Sequence, residues 1–150
     1  MKDSMRQTAL IVEDDPGTRH VLSSTLATAG IDSIHAATGA AMWQQLDHTP
    51  DIIILDLSLP DGDGLELLRQ LRQTSDVPVL IHSRRSDEIE RIIGIEIGAD
   101  DFMPKPCNMR ELLARVRWGD TTLHPLLVAA AADLVDGEVD RAEIREPSGG

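Results

Sequence analysis

The sequence predicts a doubly wound α/β domain, a parallel sheet with helices on both faces. Three observations point there. Short runs such as TALIV at 8–12 and DIIIL at 51–55 are apolar on both strand faces, as strands buried on both sides must be. Longer amphipathic stretches alternate with them, and the beat repeats through residues 8–118 with no internal sequence repeat. In chain order, 8–12 reads as a strand, 16–29 as a helix with Pro16 in its first turn, and 31–36 as a strand. Residues 38–46 then read as a helix, 51–55 as a strand, 65–73 as a helix and 77–81 (VPVLI) as a strand. A helix over 87–97 sets Ile89, Ile92, Ile93 and Ile97 on one face, and a short strand at 99–103 leads into a helix over 109–117. In such a fold ligands gather beyond the carboxyl ends of the strands, near the point where strand order reverses.

With 150 residues, 41% of them hydrophobic, the chain has room for one ordinary core without disulfides or structural metals. Its one cysteine, Cys107, has no Cys or His at zinc-ligand spacing, and the polar start at 1–7 is unlike a signal peptide, so a cytoplasmic protein is expected. No run approaches the roughly 18 apolar residues of a membrane span. A net charge of −12 argues against nucleic acid as a direct partner. Among the basic residues only Lys2 and Lys105 are lysines, which hints at a site at Lys105 that wants a compact ammonium instead of a planar fork. Residues 119–150 are strongly acidic and are expected to form a segment apart from the domain of residues 1–118. Within it 126–135 (LLVAAAADLV) could make an apolar helix, and the closing PSGG is expected to be disordered.

Candidate chemistry lies at the strand ends. Glu13, Asp14 and Asp15 follow the first strand, and Asp56 follows the third. If these strands are adjacent, the carboxylates converge and repel unless a divalent cation sits among them. Few, hard oxygen ligands favour Mg²⁺ that keeps some of its water. An acid after a strand also serves as a helix N-cap, a reading that suits a single acid better than the pair. Ser83 closes the fourth strand and Lys105 the fifth. An anion held between the metal, a hydroxyl and an ammonium is stabilised on three sides, which suits a phosphoryl group and makes Asp56 the candidate nucleophile.

Taken together, EDD at 13–15, DIIILDLSLPDGDG around Asp56, VPVLIHS ending at Ser83 and GADDFMPKP around Lys105 resemble the receiver domain of bacterial two-component response regulators. The resemblance spans about residues 8–118 and implies a flavodoxin-like five-stranded sheet of order 2-1-3-4-5. It further implies that Asp56 accepts a phosphoryl group from the phosphohistidine of a sensor kinase. Asp14 and Asp56 would ligate Mg²⁺, with the Ser58 backbone carbonyl, and Glu13 would act through water. Ser83 and Lys105 would bind phosphoryl oxygens, and Phe102 stands at the family's switch aromatic, where it lacks the hydroxyl of a tyrosine. The stretch from GADDF through RELLARVR, with Arg91, Asp100, Asp101, Glu111 and Arg115, is similar to the OmpR/PhoB subfamily. Its receivers dimerise through the fourth helix, fifth strand and fifth helix, and their output is transcriptional, through a DNA-binding domain that 119–150 is too short to form. Arg91 with Glu111 and Asp101 with Arg115 are the pairs expected across such a dimer. Arg84, where the family usually keeps Ala or Gly, Pro104, and Cys107, where Phe is common, depart from the pattern and bear on phosphoryl lifetime.

Other signals fail. Asp61-Gly62-Asp63-Gly64 and the DGEVDRAE run put apolar residues at calcium-ligand positions. The five histidines lack metal spacing, Trp43 and Trp118 read as packing groups, and no nucleotide-binding glycine motif is present. A phosphotransferase of the haloacid dehalogenase type would need an acid where Ser58 stands. A degenerate receiver serving only as an interaction module would have lost an acid or Lys105, and none is lost.

Overall fold

The computed structural model describes residues 6–120, so the helix expected over 126–135 and the PSGG end lie outside the described residues. Five strands, β1 (Gln7–Val12), β2 (Ile31–Ala36), β3 (Ile52–Leu55), β4 (Val79–Ser83) and β5 (Asp101–Pro104), form one parallel sheet in the order β2-β1-β3-β4-β5. Between and after them run α1 (Pro16–Thr28), α2 (Gly39–Gln45), α3 (Gly64–Leu71), α4 (Glu88–Ile97) and α5 (Met109–Asp120). This is the flavodoxin-like arrangement, with strand order reversing beside β1 and β3.

Strand alternation divides the core in two. Leu10, Val12, Ile53, Leu55, Val79 and Ile81 point to one face, where Met42, Leu65, Leu68 and Leu71 of α2 and α3 cover them. Ala9, Ile11, Ile52, Ile54 and Leu80 point to the other, under Leu22 and Leu26 of α1 and Leu112 and Val116 of α5. Each such leucine or isoleucine contributes about 1.5–3 kcal/mol by leaving water. Side chains fix the helix starts. Asp15, Thr38, Asp63 and Asp87 accept hydrogen bonds from the backbone N–H of Thr18 (2.8 Å), Ala41 (3.0 Å), Leu65 (2.9 Å) and Glu90 (2.8 Å), each cap worth about 1 kcal/mol.

The structure shifts both β4 and β5, the latter running over Asp101–Pro104 where 99–103 is expected, and turns α4 differently. β4 runs two residues beyond 77–81, because Pro78 has no N–H to donate and the ladder with β5 continues from Leu80↔Asp101 to Ser83↔Pro104. On α4 most of the expected isoleucine face does not turn to the core: Ile89 is 68% exposed and Ile92 49%, and Ile93 is exposed too, while Ile97 packs against the core. Gly94 is the buried residue of that helix. One small element was not foreseen, an antiparallel pairing of Ser58–Leu59 with Gly62–Asp63 in the loop after β3. No described helix is long and apolar enough to cross a membrane.

Candidate functional site

Backbone hydrogen bonds one step beyond the strands bring the predicted residues to one rim of the sheet. Glu13 N–H donates to the Ala36 carbonyl (2.9 Å), Asp56 N–H to that of Val12 (3.0 Å) and Lys105 N–H to that of Ser83 (2.9 Å). The parallel ladder is thus extended at β1, β3 and β5, and the three side chains project from its carboxyl edge. Arg19 of α1 reaches back to the carbonyls of Glu13 (3.0 Å) and Asp14 (3.3 Å), pinning the acidic turn.

The Lys105 ammonium donates to Glu13 Oε1 at 2.6 Å and to Asp56 Oδ2 at 3.1 Å. The other oxygen, Asp56 Oδ1, accepts the Ser58 N–H at 3.2 Å. Glu13 and Asp56 are both buried, and with Asp14 they offer carboxylate oxygens within 4.8 Å of one another. Burial raises the Glu13 carboxyl above its ordinary range, and the Asp56 charge adds to this against the lowering pull of Lys105. Burial alone would depress Lys105, but its hydrogen bond to Glu13 and the charge of Asp56 outweigh that and hold the ammonium protonated. Three converging carboxylates with one cation are still short of positive charge, and their hard oxygens fit Mg²⁺.

These residues line an open cleft of about 370 Å³ with Asp15, Thr18, Ser58 and Arg84. Asp15 turns out to be the N-cap of α1, as the simpler reading of a lone acid had it. Ser83 does not line the cleft: it is fully buried, and its hydroxyl accepts the N–H of Arg85 at 3.1 Å. Phe102 is buried with its ring against Gly94. Cys107 is half-buried beside His82, and Pro106 follows Lys105 through a cis peptide.

The residues expected on a dimer face separate. Arg91, Asp101, Glu111 and Arg115 line a groove of about 970 Å³ between α4, β5 and α5. Asp101 and Glu111, however, are held by Arg115 within the chain, at 2.8 and 2.9 Å. Asp100 does not line the groove; its carboxylate accepts the Val79 N–H at 2.8 Å and pairs with Arg72 at 3.2 Å. Sequence reasoning missed Arg19, Arg72 and Arg85. Arg85 bridges Asp63, Glu90 and the Leu57 carbonyl; Asp63 and Leu57 lie 22 and 28 residues away in sequence and leave no local signal.

A parallel five-stranded sheet whose carboxyl edge gathers two acids and a lysine around a buried aspartate, Asp56, is the arrangement of a receiver domain. Comparison agrees: residues 9–117 match the response regulator receiver domain family, and the chain belongs to it. Relatives include the KDP operon transcriptional regulatory protein KdpE of Escherichia coli K12, 45% identical over 109 residues, and the transcriptional regulatory protein CpxR of the same strain, 40% identical over 108. These matches take in 72% of this chain and 48% and 47% of the relatives, so the chain spans about half their length. Among solved structures, the receiver domain of the TMAO respiratory system response regulator TorR superposes with a TM-score of 0.70 at 41% identity, over 74% of this chain and 93% of that one. The BeF3-activated N-terminal receiver domain of Klebsiella pneumoniae RstA gives 0.73 at 28% identity, over 75% and 97%. KdpE, CpxR and TorR are OmpR/PhoB-family response regulators, and that likeness is shared here.

Proposed function

We propose that this chain is a cytoplasmic phosphorylation switch: Asp56 takes a phosphoryl group from the phosphohistidine of a sensor kinase, and the α4–β5–α5 face responds. The convergence of Glu13, Asp14 and Lys105 on Asp56 carries this reading. In the transfer, an Asp56 carboxylate oxygen attacks phosphorus, the P–N bond breaks, and the departing imidazole takes up a proton while an acyl phosphate forms. Asp14, Asp56 and the Ser58 carbonyl would hold Mg²⁺, with Glu13 acting through water. The ion supplies charge that offsets repulsion between the carboxylates and the incoming phosphoryl group. Lys105, already hydrogen-bonded to Asp56, stays protonated and turns to a phosphoryl oxygen. Ser83 would provide the second hydrogen bond, drawing the loop after β4 toward the cleft, while Phe102 repacks against α4. Arg84, exposed at the mouth of the cleft, would govern the access of water and so the lifetime of the acyl phosphate.

Output is proposed to be transcriptional, through a DNA-binding domain in the same protein or in a partner, with phosphorylation favouring a homodimer through the α4–β5–α5 face. A small-molecule phosphodonor with Mg²⁺ tests the chemistry. Intact-mass analysis is expected to show one phosphoryl group on the wild type and none on Asp56→Asn. Phosphorylation of Asp56→Asn, or steady turnover of a free phosphomonoester, would overturn it.

A further inference from the structure

Arg85 follows Ser83 by two residues and sits where three elements meet. Its guanidinium donates to the Leu57 carbonyl at 3.2 Å, immediately after Asp56, and to Asp63 Oδ1 at 3.0 Å, where α3 begins. From its other nitrogen it reaches Glu90, in the first turn of α4, at 3.0 Å. Its own backbone N–H is bonded to the Ser83 hydroxyl. One side chain therefore ties the loop that bears Asp56 to the helix that borders the output groove, and its backbone holds the hydroxyl that phosphorylation is expected to recruit.

We infer that Arg85 is a positioning residue that clamps the unphosphorylated arrangement, so that a phosphoryl group on Asp56 has to break the clamp to engage Ser83 and release α4. The inference rests on the receiver chemistry proposed above. The Ser83 hydroxyl is fully buried and outside the cleft lining, so it can reach a phosphoryl oxygen only if the chain around it moves. That chain includes Arg85, whose three acceptors lie outside it, in the loop after β3, at the start of α3 and in α4, so the movement has to break these contacts. The energy of those contacts opposes the switch, and Glu90 passes the opposition to α4.

Removing the clamp is expected to favour the switched state before any phosphorylation. In the full-length chain, Arg85→Ala is expected to bind beryllofluoride, in the presence of Mg²⁺, about fivefold more tightly than wild type, the worth of one partly exposed ion pair. Mg²⁺ affinity alone should not change, because Arg85 touches none of the metal-site carboxylates. Amide exchange over 87–97 should quicken in the unliganded variant. Glu90→Gln, which cuts only the arm to α4, should quicken the same amides while preserving the contacts of Arg85 to Asp63 and Leu57. A residue serving stability alone would instead lower beryllofluoride and Mg²⁺ affinity together. Wild-type binding with an unchanged or weaker affinity in Arg85→Ala overturns the clamp and leaves the receiver reading standing. Failure of the wild type to bind beryllofluoride at all overturns both.

Discussion

His82 lies in β4 next to Ser83, buried, with Nδ1 lacking a hydrogen-bond partner among the described residues and Nε2 3.5 Å from Cys107 Sγ. Burial, helped by the nearby Lys105 charge and opposed by Asp56, lowers its pKa from 6.5 to about 4. A folded-state pKa below the unfolded one means that the unfolded chain binds the extra proton. Stability from this group is therefore complete above about pH 6.5 and is lost as pH falls toward 4, a change on the order of 3 kcal/mol. Urea unfolding at pH 7 and at pH 4 measures the loss. His82→Leu, which has no proton to gain, should show a loss smaller by about that amount. An imidazole that titrates near pH 6.5 by NMR in the folded protein would refute the assignment. Cys107 belongs to the same pocket of side chains. Burial first, then the Glu111 charge, raises its thiol above the usual range, so it stays protonated and acts as a packing group.

How the elements meet explains what could be read from the chain and what could not. Asp56 and Lys105 were readable because apolar runs locate the strands, and a parallel ladder sends every carboxyl end to the same rim. The orientation of α4 was not. Isoleucines at helical spacing identify the helix, but the face it buries is decided by Gly94, where an added Cβ would sit 2.9 Å from Ile81 Cδ1 and 3.4 Å from the Phe102 ring. The helix packs on β4 and β5 through its smallest residue; Ile89, Ile92, Ile93 and Ile95 are left outside, and Ile97 is partly buried against the core. The links made by Arg72 and Arg85 depend on pairings across the fold, which periodicity does not encode. Another close approach lies where α3 starts. A Cβ on Gly64 would fall 2.5 Å from Leu57 Cα and 2.8 Å from the Asp56 carbonyl oxygen. Both neighbours are backbone and cannot swing away. Gly64→Ala is therefore expected to cost about 1–3 kcal/mol and to push the loop bearing Asp56 off its place. Urea unfolding reads the first effect and the phosphorylation rate the second; a variant matching the parent in both would show that α3 can shift freely.

For the whole molecule, the question is whether the face between α4 and α5 is strong enough to bring two copies together. Ile89, Ile92 and Ile95 are 68%, 49% and 47% exposed, so covering the rest of each would yield about 1 kcal/mol, and six of them across a two-fold interface about 6 kcal/mol. Losing translational and rotational freedom costs about 4–15 kcal/mol, so these contacts alone leave the unphosphorylated chain near balance or monomeric. The charges add little in that state, because Arg115 already satisfies Asp101 and Glu111 within one chain, while Arg91 has no ion-pair partner among the described residues. On the function proposed above, association would depend on a phosphorylation-driven shift that re-aims α4 and frees these acids for the second copy. Sedimentation should show the wild-type chain monomeric with Mg²⁺ alone and dimeric once beryllofluoride is added. Ile92→Glu with Ile95→Glu sets like charges on both copies at surface positions, and should keep the chain monomeric while beryllofluoride affinity stays within about twofold of wild type, since neither residue touches the cleft. A dimer that survives both substitutions would place the interface elsewhere on the molecule.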